Sequence, residues 1–432
     1  MKKRDNIDHC LIICGINTLK YNWKKEIKKF SSLTAKVLGE HITKSGKITS
    51  KSIPDCVKEL NEKIDEFFII INIEKLRDEN LLKALSKNKL NKFDMIAFDE
   101  CHRAKDPSAT QSANLLKLKA KYQIGATGTM ILNSPEDCYM PLKWIGFEHS
   151  TFSKFKYYYL EYGGPFGNML VGFKNTELLK KQIEQVSLRR TKDLLDLPSK
   201  TVIDEYVQMD SAQQNFYDNI KEGIVDQVDK VKMHTANLLA MVTRLRQATE
   251  FPSLLTSDKN IKSAKIERCL DLVDQILSDP NEKVVIFSCY KEPCKYVYDQ
   301  LKQYKPLLCT GDVPDAVISR SIDEFQNDSE HRVMVCTGQK MGTGITLNRA
   351  HYAIFLSTPW TAGVNIQWQD RIHRIGTKEP VFIYNLWTLG TIDERVKELI
   401  DTKGALSDYV IDDQLTQNII DILRKYNEEL RN

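Results

Sequence analysis

Short apolar runs rich in β-branched residues recur along the chain and stop at polar or glycine-containing turns. They are Leu11 to Cys14, Phe67 to Ile73, Met95 to Phe98, Val284 to Ser288, Arg332 to Cys336, Ala353 to Leu356 and Val381 to Asn385. Such near-continuous apolar stretches predict strands buried on both faces, as parallel sheets require. Between them, Asn22 to Phe30, Leu81 to Leu90, Lys265 to Leu277 and Lys291 to Tyr304 carry apolar residues at helical spacing, and the repeated alternation predicts α/β lobes. From about Met140 to Ser263 the alternation fails; this segment is rich in Tyr, Lys and Gln, and Ser211 to Gln247 is periodic as a helix. The expected division is a first lobe over 1–205, a helical insertion over 206–262 and a second lobe over 263–432.

With 432 residues, 42% of them hydrophobic, the chain can bury two or three cores of ordinary size, which sets aside a small isolated binding module. A net charge of +4, from 62 basic and 58 acidic residues, permits a polyanionic partner without demanding one. The ten cysteines are scattered with no paired Cys-x-x-Cys spacing, which favours reduced, mostly buried thiols over a zinc site. The longest apolar run, Phe67 to Ile73, falls far short of the roughly 20 residues a membrane-spanning helix needs. No secretory signal follows Met1, so the expectation is a soluble protein of a reducing compartment, with no membrane partner.

In a doubly wound sheet, ligands sit beyond the carboxyl ends of the strands. After the run Met95 to Phe98 come Asp99, Glu100, Cys101 and His102. Two adjacent carboxylates at that place suit phosphoryl transfer: one holds Mg²⁺, usually through water, and the other orients or deprotonates the attacking water. This assigns Asp99 to the metal and Glu100 to the water. Taken alone, the pair reads equally well as a solvated loop start, and its neighbours have to decide.

The run Asp99 to Pro107 resembles motif II of the Swi/Snf-type branch of superfamily-two helicases, and further matches follow in that family's order. Leu11 to Ile27 is similar to motif Ia through Leu19, Asn22, Trp23 and Glu26, with Gly15 where a proline is common. Phe68 to Leu76 resembles motif Ib. Ala126, Thr127, Gly128 and Thr129, with Asn133, resemble motif III, although Met130 replaces the usual proline. Leu188 to Lys192, Leu197 to Lys200, Leu245 to Gln247 with Pro252, and Ser263 to Lys265 follow the Swi/Snf-type pattern rather than that of helicases generally. Val284 to Tyr290 resembles motif IV, Thr337 to Leu347 motif V, and Gln367 to Gly376 motif VI.

The resemblance implies two RecA-like lobes with parallel sheets, ATP and Mg²⁺ as cofactors, and DNA, most readily duplex, as partner. It implies nucleotide contacts from Gly342 and Gly344 and catalytic roles for Gln367, Arg371 and Arg374. It also implies coupling through His102, Thr127, Gly128 and Thr129, and nucleic-acid contacts from Asn22, Trp23 and Thr337. Arg371 and Arg374, three residues apart, would share one helical face and could both reach a triphosphate as arginine fingers; the competing reading is a surface ion pair with Asp370 or Glu379. Gly342 to Leu347 could equally be a tight turn. The basic, aromatic stretch Lys154 to Tyr162 suits a grip on a phosphate backbone or, more commonly, a solvated helical face. The compactness is similar to phage or bacterial members, pointing to the cytoplasm of a bacterium or phage-infected host.

One expected part has no match. The family's Gly-rich phosphate loop ends in Gly-Lys-Thr or Gly-Lys-Ser and precedes motif Ia, yet only ten residues precede Leu11. Gly46-Lys47-Ile48-Thr49 has His41 in place of the first glycine and follows motif Ia, so it is rejected. The strand leading into that loop is internal in related sheets, so the first lobe is expected to be N-terminally incomplete with an unpaired edge. The function expected is an ATP-dependent DNA translocase or helicase-like motor completed by a separate N-terminal fragment carrying the phosphate loop. The alternatives are a catalytically silent nucleic-acid-binding scaffold and an RNA helicase.

Overall fold

The computed structural model describes residues 7–15, 19–42, 48–128, 130, 134–163, 169–190, 194–230, 235–341, 345–359 and 362–406. The chain forms two compact units that divide between Arg189 and Arg190.

The first unit opens with β1 (His9–Cys14), α1 (Leu19–Phe30), β2 (Ala35–Val37), β3 (Glu40–Ile42), β4 (Ile48–Ser50) and α2 (Ile53–Leu60). It continues with β5 (Phe68–Asn72), α3 (Glu79–Ser86), β6 (Phe93–Asp99), α4 (Thr110–Leu115) and β7 (Tyr122–Ala126). Next come α5 (Tyr139–Trp144), α6 (Phe152–Tyr159), β8 (Leu160–Gly163), β9 (Met169–Phe173) and α7 (Thr176–Val186). The main sheet is parallel, in the order β2-β5-β1-β6-β7. Alternate residues of β1 serve opposite faces. Leu11 and Ile13 pack with Leu60, Leu81 and Leu115 of α2, α3 and α4, while Ile12 and Cys14 pack with Leu19 and Ile27 of α1.

The second unit contains β10 (Lys200–Val207), α8 (Ser211–Lys230), α9 (Thr235–Glu250), α10 (Ala264–Leu277), β11 (Val284–Ser288), α11 (Lys291–Gln300) and β12 (Leu307–Cys309). It ends with α12 (Asp315–Asn327), β13 (Val333–Thr337), α13 (Gly338–Met341), β14 (Tyr352–Phe355), α14 (Ala362–Gln369), β15 (Val381–Thr388) and α15 (Ile392–Leu406). Its parallel sheet runs β10-β15-β14-β11-β13-β12. Val285 and Phe287 face α12 and α14, and Val284 and Ile286 face α10 and α11.

All seven runs expected to be strands are strands, in two parallel-sheet α/β lobes. The boundary differs from 205. Residues 200–205 lie in β10, which pairs with β15 in the second sheet from Lys200↔Val381 to Val207↔Thr388. The region expected as a helical insertion is helical, but it belongs to the second unit: Tyr217, Val242 and Leu245 pack on Trp387, Ile392 and Val396. At the first sheet's edge, β7 pairs with β6 and, among the described residues, with no other strand. Its Gly125 and Ala126 are exposed and Ile124 is 41% exposed, unusual for a strand of a parallel sheet.

No helix among the described residues is long and apolar enough to cross a membrane. All ten cysteines are free thiols, nine of them buried.

Candidate active site

Strand order locates the first unit's crevice. From β1 the chain crosses toward β2, and from β6 it turns the other way toward β7, so the carboxyl ends of β1 and β6 flank the point where the winding reverses. Cys14 and Asp99 are register partners there, and the paired carboxylates follow directly.

Three contacts fix this corner. The Gly15 N–H donates to the Asp99 carbonyl at 2.9 Å, and the Trp23 indole N–H donates to Asp99 Oδ2 at 2.8 Å. Glu100 lies in the left-handed region, φ 56° and ψ 51°, which costs a non-glycine residue on the order of 1–2 kcal/mol. The turn closes through the Arg103 N–H donating to the Glu100 carbonyl. Gly15 lets the backbones meet, since a Cβ there would lie 2.9 Å from the Glu100 carbonyl oxygen and 2.9 Å from Arg103 Cγ. A proline at position 15 would also lack the N–H that Asp99 accepts.

Burial pushes the Asp99 carboxyl above its usual range; the Trp23 bond pulls it down, and the Glu100 charge pushes it up. Glu100 Oε2 is buried without a hydrogen-bond partner. His102 Nδ1 lies 3.2 Å from that oxygen but is hydrogen-bonded to Thr127 Oγ1 at 2.9 Å. We read the Glu100 contact as proximity, since an imidazole nitrogen directed at Thr127 is poorly aligned for the carboxylate. His102 thus joins the carboxylate corner to the turn after β7, while Gly128 is exposed beside it.

Magnesium is held by one or two carboxylates plus waters and phosphate oxygens rather than by an all-protein cage. The corner fits that pattern: Asp99 is raised by burial, Glu100 Oε2 has unused acceptor capacity, and no cluster of three or more ligating side chains occurs among the described residues.

Other expected residues fall out differently. Trp23 was expected on nucleic acid, but its single donor is spent on Asp99; Asn22 beside it is half-buried. Thr337 ends β13 and is buried. Thr129, Asn133, Gly342 and Gly344 lie outside the described residues.

In the second unit, Arg371 and Arg374 do come together, though not on a helix. Helix α14 ends at Gln369, because the Gln367 carbonyl accepts the Arg371 side chain's Nε (3.0 Å) while the Arg371 backbone N–H turns to the Trp368 carbonyl. Arg371 Nη1 and Arg374 Nη1 both donate to the Ile345 carbonyl, at 3.1 and 3.3 Å. Arg371 is 7% exposed, and Arg374 is the more accessible of the two. Gly376 closes the turn at φ 98°, where a Cβ would meet Asn348 Nδ2 at 2.7 Å.

Residues 1–254 match the family model of the SNF2-related domain, and residues 264–376 match that of the helicase conserved C-terminal domain. An uncharacterized ATP-dependent helicase of Mycoplasma genitalium is 26% identical over 90% of this chain and 36% of its own length. The DNA repair and recombination protein RDH54 of Saccharomyces cerevisiae is 26% identical over 94% of this chain and 45% of its own. The chain therefore spans about a third to a half of these relatives. A solved structure of the Sulfolobus solfataricus SWI2/SNF2 ATPase core in complex with dsDNA aligns with all of this chain and 87% of its own, at 24% identity and a TM-score of 0.46.

Proposed function

Because the chain belongs to the SNF2-related domain family, we propose that it forms part of an ATP-hydrolysing motor that moves along duplex DNA. The observation that carries this reading is the corner at β1 and β6: a strained left-handed Glu100, with a buried oxygen lacking a partner, beside an Asp99 held by Trp23. Strain of this kind is retained where surrounding structure enforces it, commonly at functional sites.

In this reading Asp99 holds Mg²⁺ through water, and Trp23 keeps its carboxylate in one orientation. Bound there, Mg²⁺ would supply neutralisation of phosphate charge. Glu100 orients the attacking water and takes its proton. Arg374 would donate to charge developing on a nucleotide phosphate, and Arg371 acts chiefly by fixing the turn that carries it. Gln367 supports the same turn through its carbonyl. His102 and Thr127 relay the state of the nucleotide corner to the turn after β7, where Gly128 and Thr129 follow. Gly342 and Gly344 remain nucleotide-contact candidates, and Asn22 is a better candidate for DNA contact than Trp23 or Thr337.

The phosphate cradle is proposed to come from a segment outside this sequence. Two observations support this: no Gly-x4-Gly-Lys-Ser/Thr occurs in the chain, and β7, paired among the described residues with β6 alone, offers a strand position beside the site. Cytoplasmic action in a bacterial or phage-infected cell is consistent with this chemistry.

The test is ATP turnover by the chain with and without a phosphate-loop fragment, in the presence of duplex DNA, single strands or RNA. Duplex-stimulated turnover that needs the fragment is expected, and Glu100→Gln should lower kcat by about 10²- to 10⁴-fold while leaving nucleotide binding in place. Turnover unchanged by Glu100→Gln would refute the assignment. No nucleotide binding with the fragment present would favour the silent scaffold, and stimulation by RNA alone the RNA helicase.

A further inference from the structure

After the nucleotide corner in the first unit, α5, α6 and α7 enclose a small core, in which Phe155 and Tyr159 of α6 pack with Tyr139, Leu142 and Leu179. With those two rings turned inward, the opposite side of α6 presents Lys154 and Tyr157 to solvent. Tyr157 is 77% exposed and Tyr158 46%, a poor placement for large rings that have nothing to meet. The following hairpin adds Tyr162, 44% exposed. A register shift between Glu161 and Tyr162 interrupts the β8–β9 ladder, a device that re-aims side chains at a sheet edge.

The platform is held in place. Lys174 Nζ sits 4.8 Å over the Tyr157 ring. The Tyr158 carbonyl accepts from Asn175 Nδ2 at 2.8 Å, and the Tyr159 carbonyl accepts from the Lys174 N–H at 3.0 Å. Asn175 itself adopts a left-handed φ of 56° at the start of α7. Residues 152–175 contain three lysines, Lys154, Lys156 and Lys174, against one acidic residue, Glu161. Exposed rings that can stack on bases, among cations that track phosphates, match the chemistry of unpaired nucleic acid. A duplex keeps its base faces stacked away from such rings.

We infer that α6 and the β8–β9 hairpin form a second nucleic-acid surface, separate from the nucleotide corner, which holds single-stranded DNA by stacking on Tyr157 and Tyr158 with Lys154 and Lys174 on the backbone. The inference extends the motor reading to a strand leaving or flanking the duplex, and so rests on nucleic acid being the partner.

The probe is fluorescein-labelled oligo-dT, titrated by anisotropy with the full chain at several salt concentrations. Tyr157→Ala should weaken binding about 5- to 150-fold, Tyr157→Phe should retain it, and Lys174→Gln should flatten the salt dependence. Near-UV circular dichroism confirms that each variant is folded, as expected for side chains so exposed. Equal affinity of wild type and a folded Tyr157→Ala/Tyr158→Ala double variant would overturn the inference. So would poly-glutamate competing as well as oligo-dT, which would assign the surface to an acidic protein segment. Duplex-stimulated turnover without single-strand binding sinks this surface and leaves the motor standing. Tyrosine-dependent single-strand binding with no stimulated turnover supports the surface and sinks the motor.

Discussion

Gly15 and Glu100 are fitted to each other at the scale of single atoms. The glycine makes room for a carbonyl that the left-handed turn pushes toward it, and its N–H holds the preceding strand end. Gly15→Ala inserts a Cβ 2.9 Å from that carbonyl, an overpacking that should cost about 1–3 kcal/mol and displace Glu100. Urea denaturation should register the loss of stability, with turnover falling further than the stability loss alone explains. In the sequence, the paired carboxylates could be located from the apolar run before them. The role of Gly15 could not, because a departure from a motif says nothing about the backbone it touches. The Trp23–Asp99 bond joins residues 76 positions apart, so no local pattern could have shown it. Arg371 and Arg374 were expected to share a helical face, but a shared carbonyl rather than helical spacing brings them together.

At the scale of elements, the strands that were legible are those buried on both faces, where the interior demands unbroken apolar residues. β10, reading Lys-Thr-Val-Ile-Asp-Glu-Tyr-Val, lies at a sheet edge and is largely exposed. Its polar residues hid it among the helices that follow. Helix α1 carries another feature without a local signal: Lys20 is buried beside Cys14, Cys56, Glu74 and Lys75. Burial, and then the Lys75 charge, lower its pKa from 10.5 to about 8, with Cys14, Cys56 and Glu74 opposing. Between those values the unfolded chain holds a proton that the folded chain has shed, so this group makes stability rise with pH from about 8 to 10.5. Lys20→Met should flatten that rise and add on the order of 2–3 kcal/mol at pH 7, as read from denaturation curves at pH 7 and 9.5.

At the scale of the whole molecule, the two units treat their strand-end crevices differently. In the second sheet the winding reverses between β11 and β14, and the chain's own side chains fill that place. Arg246 donates to the Thr358 carbonyl at 2.6 Å, Ser288 donates to Glu250, and the Cys289 N–H donates to Ser357 Oγ. Lys265, 2% exposed, pairs with Asp393 at 2.5 Å. The network ties α9, α10 and α15 to the strand ends, which is why the helical segment belongs to this unit. Lys265→Met strands buried carboxylates and should cost about 3–5 kcal/mol, detectable as an early melting transition of the second unit in calorimetry. In the first unit, β7 pairs, among the described residues, with β6 alone. An uncapped strand edge is a template for any extended chain that meets it, so this polypeptide should self-associate increasingly as its concentration rises. Soluble yield should rise in proportion to a co-expressed strand donor, and a proline at Ile124 should improve recovery by blunting the edge while spoiling its assembly.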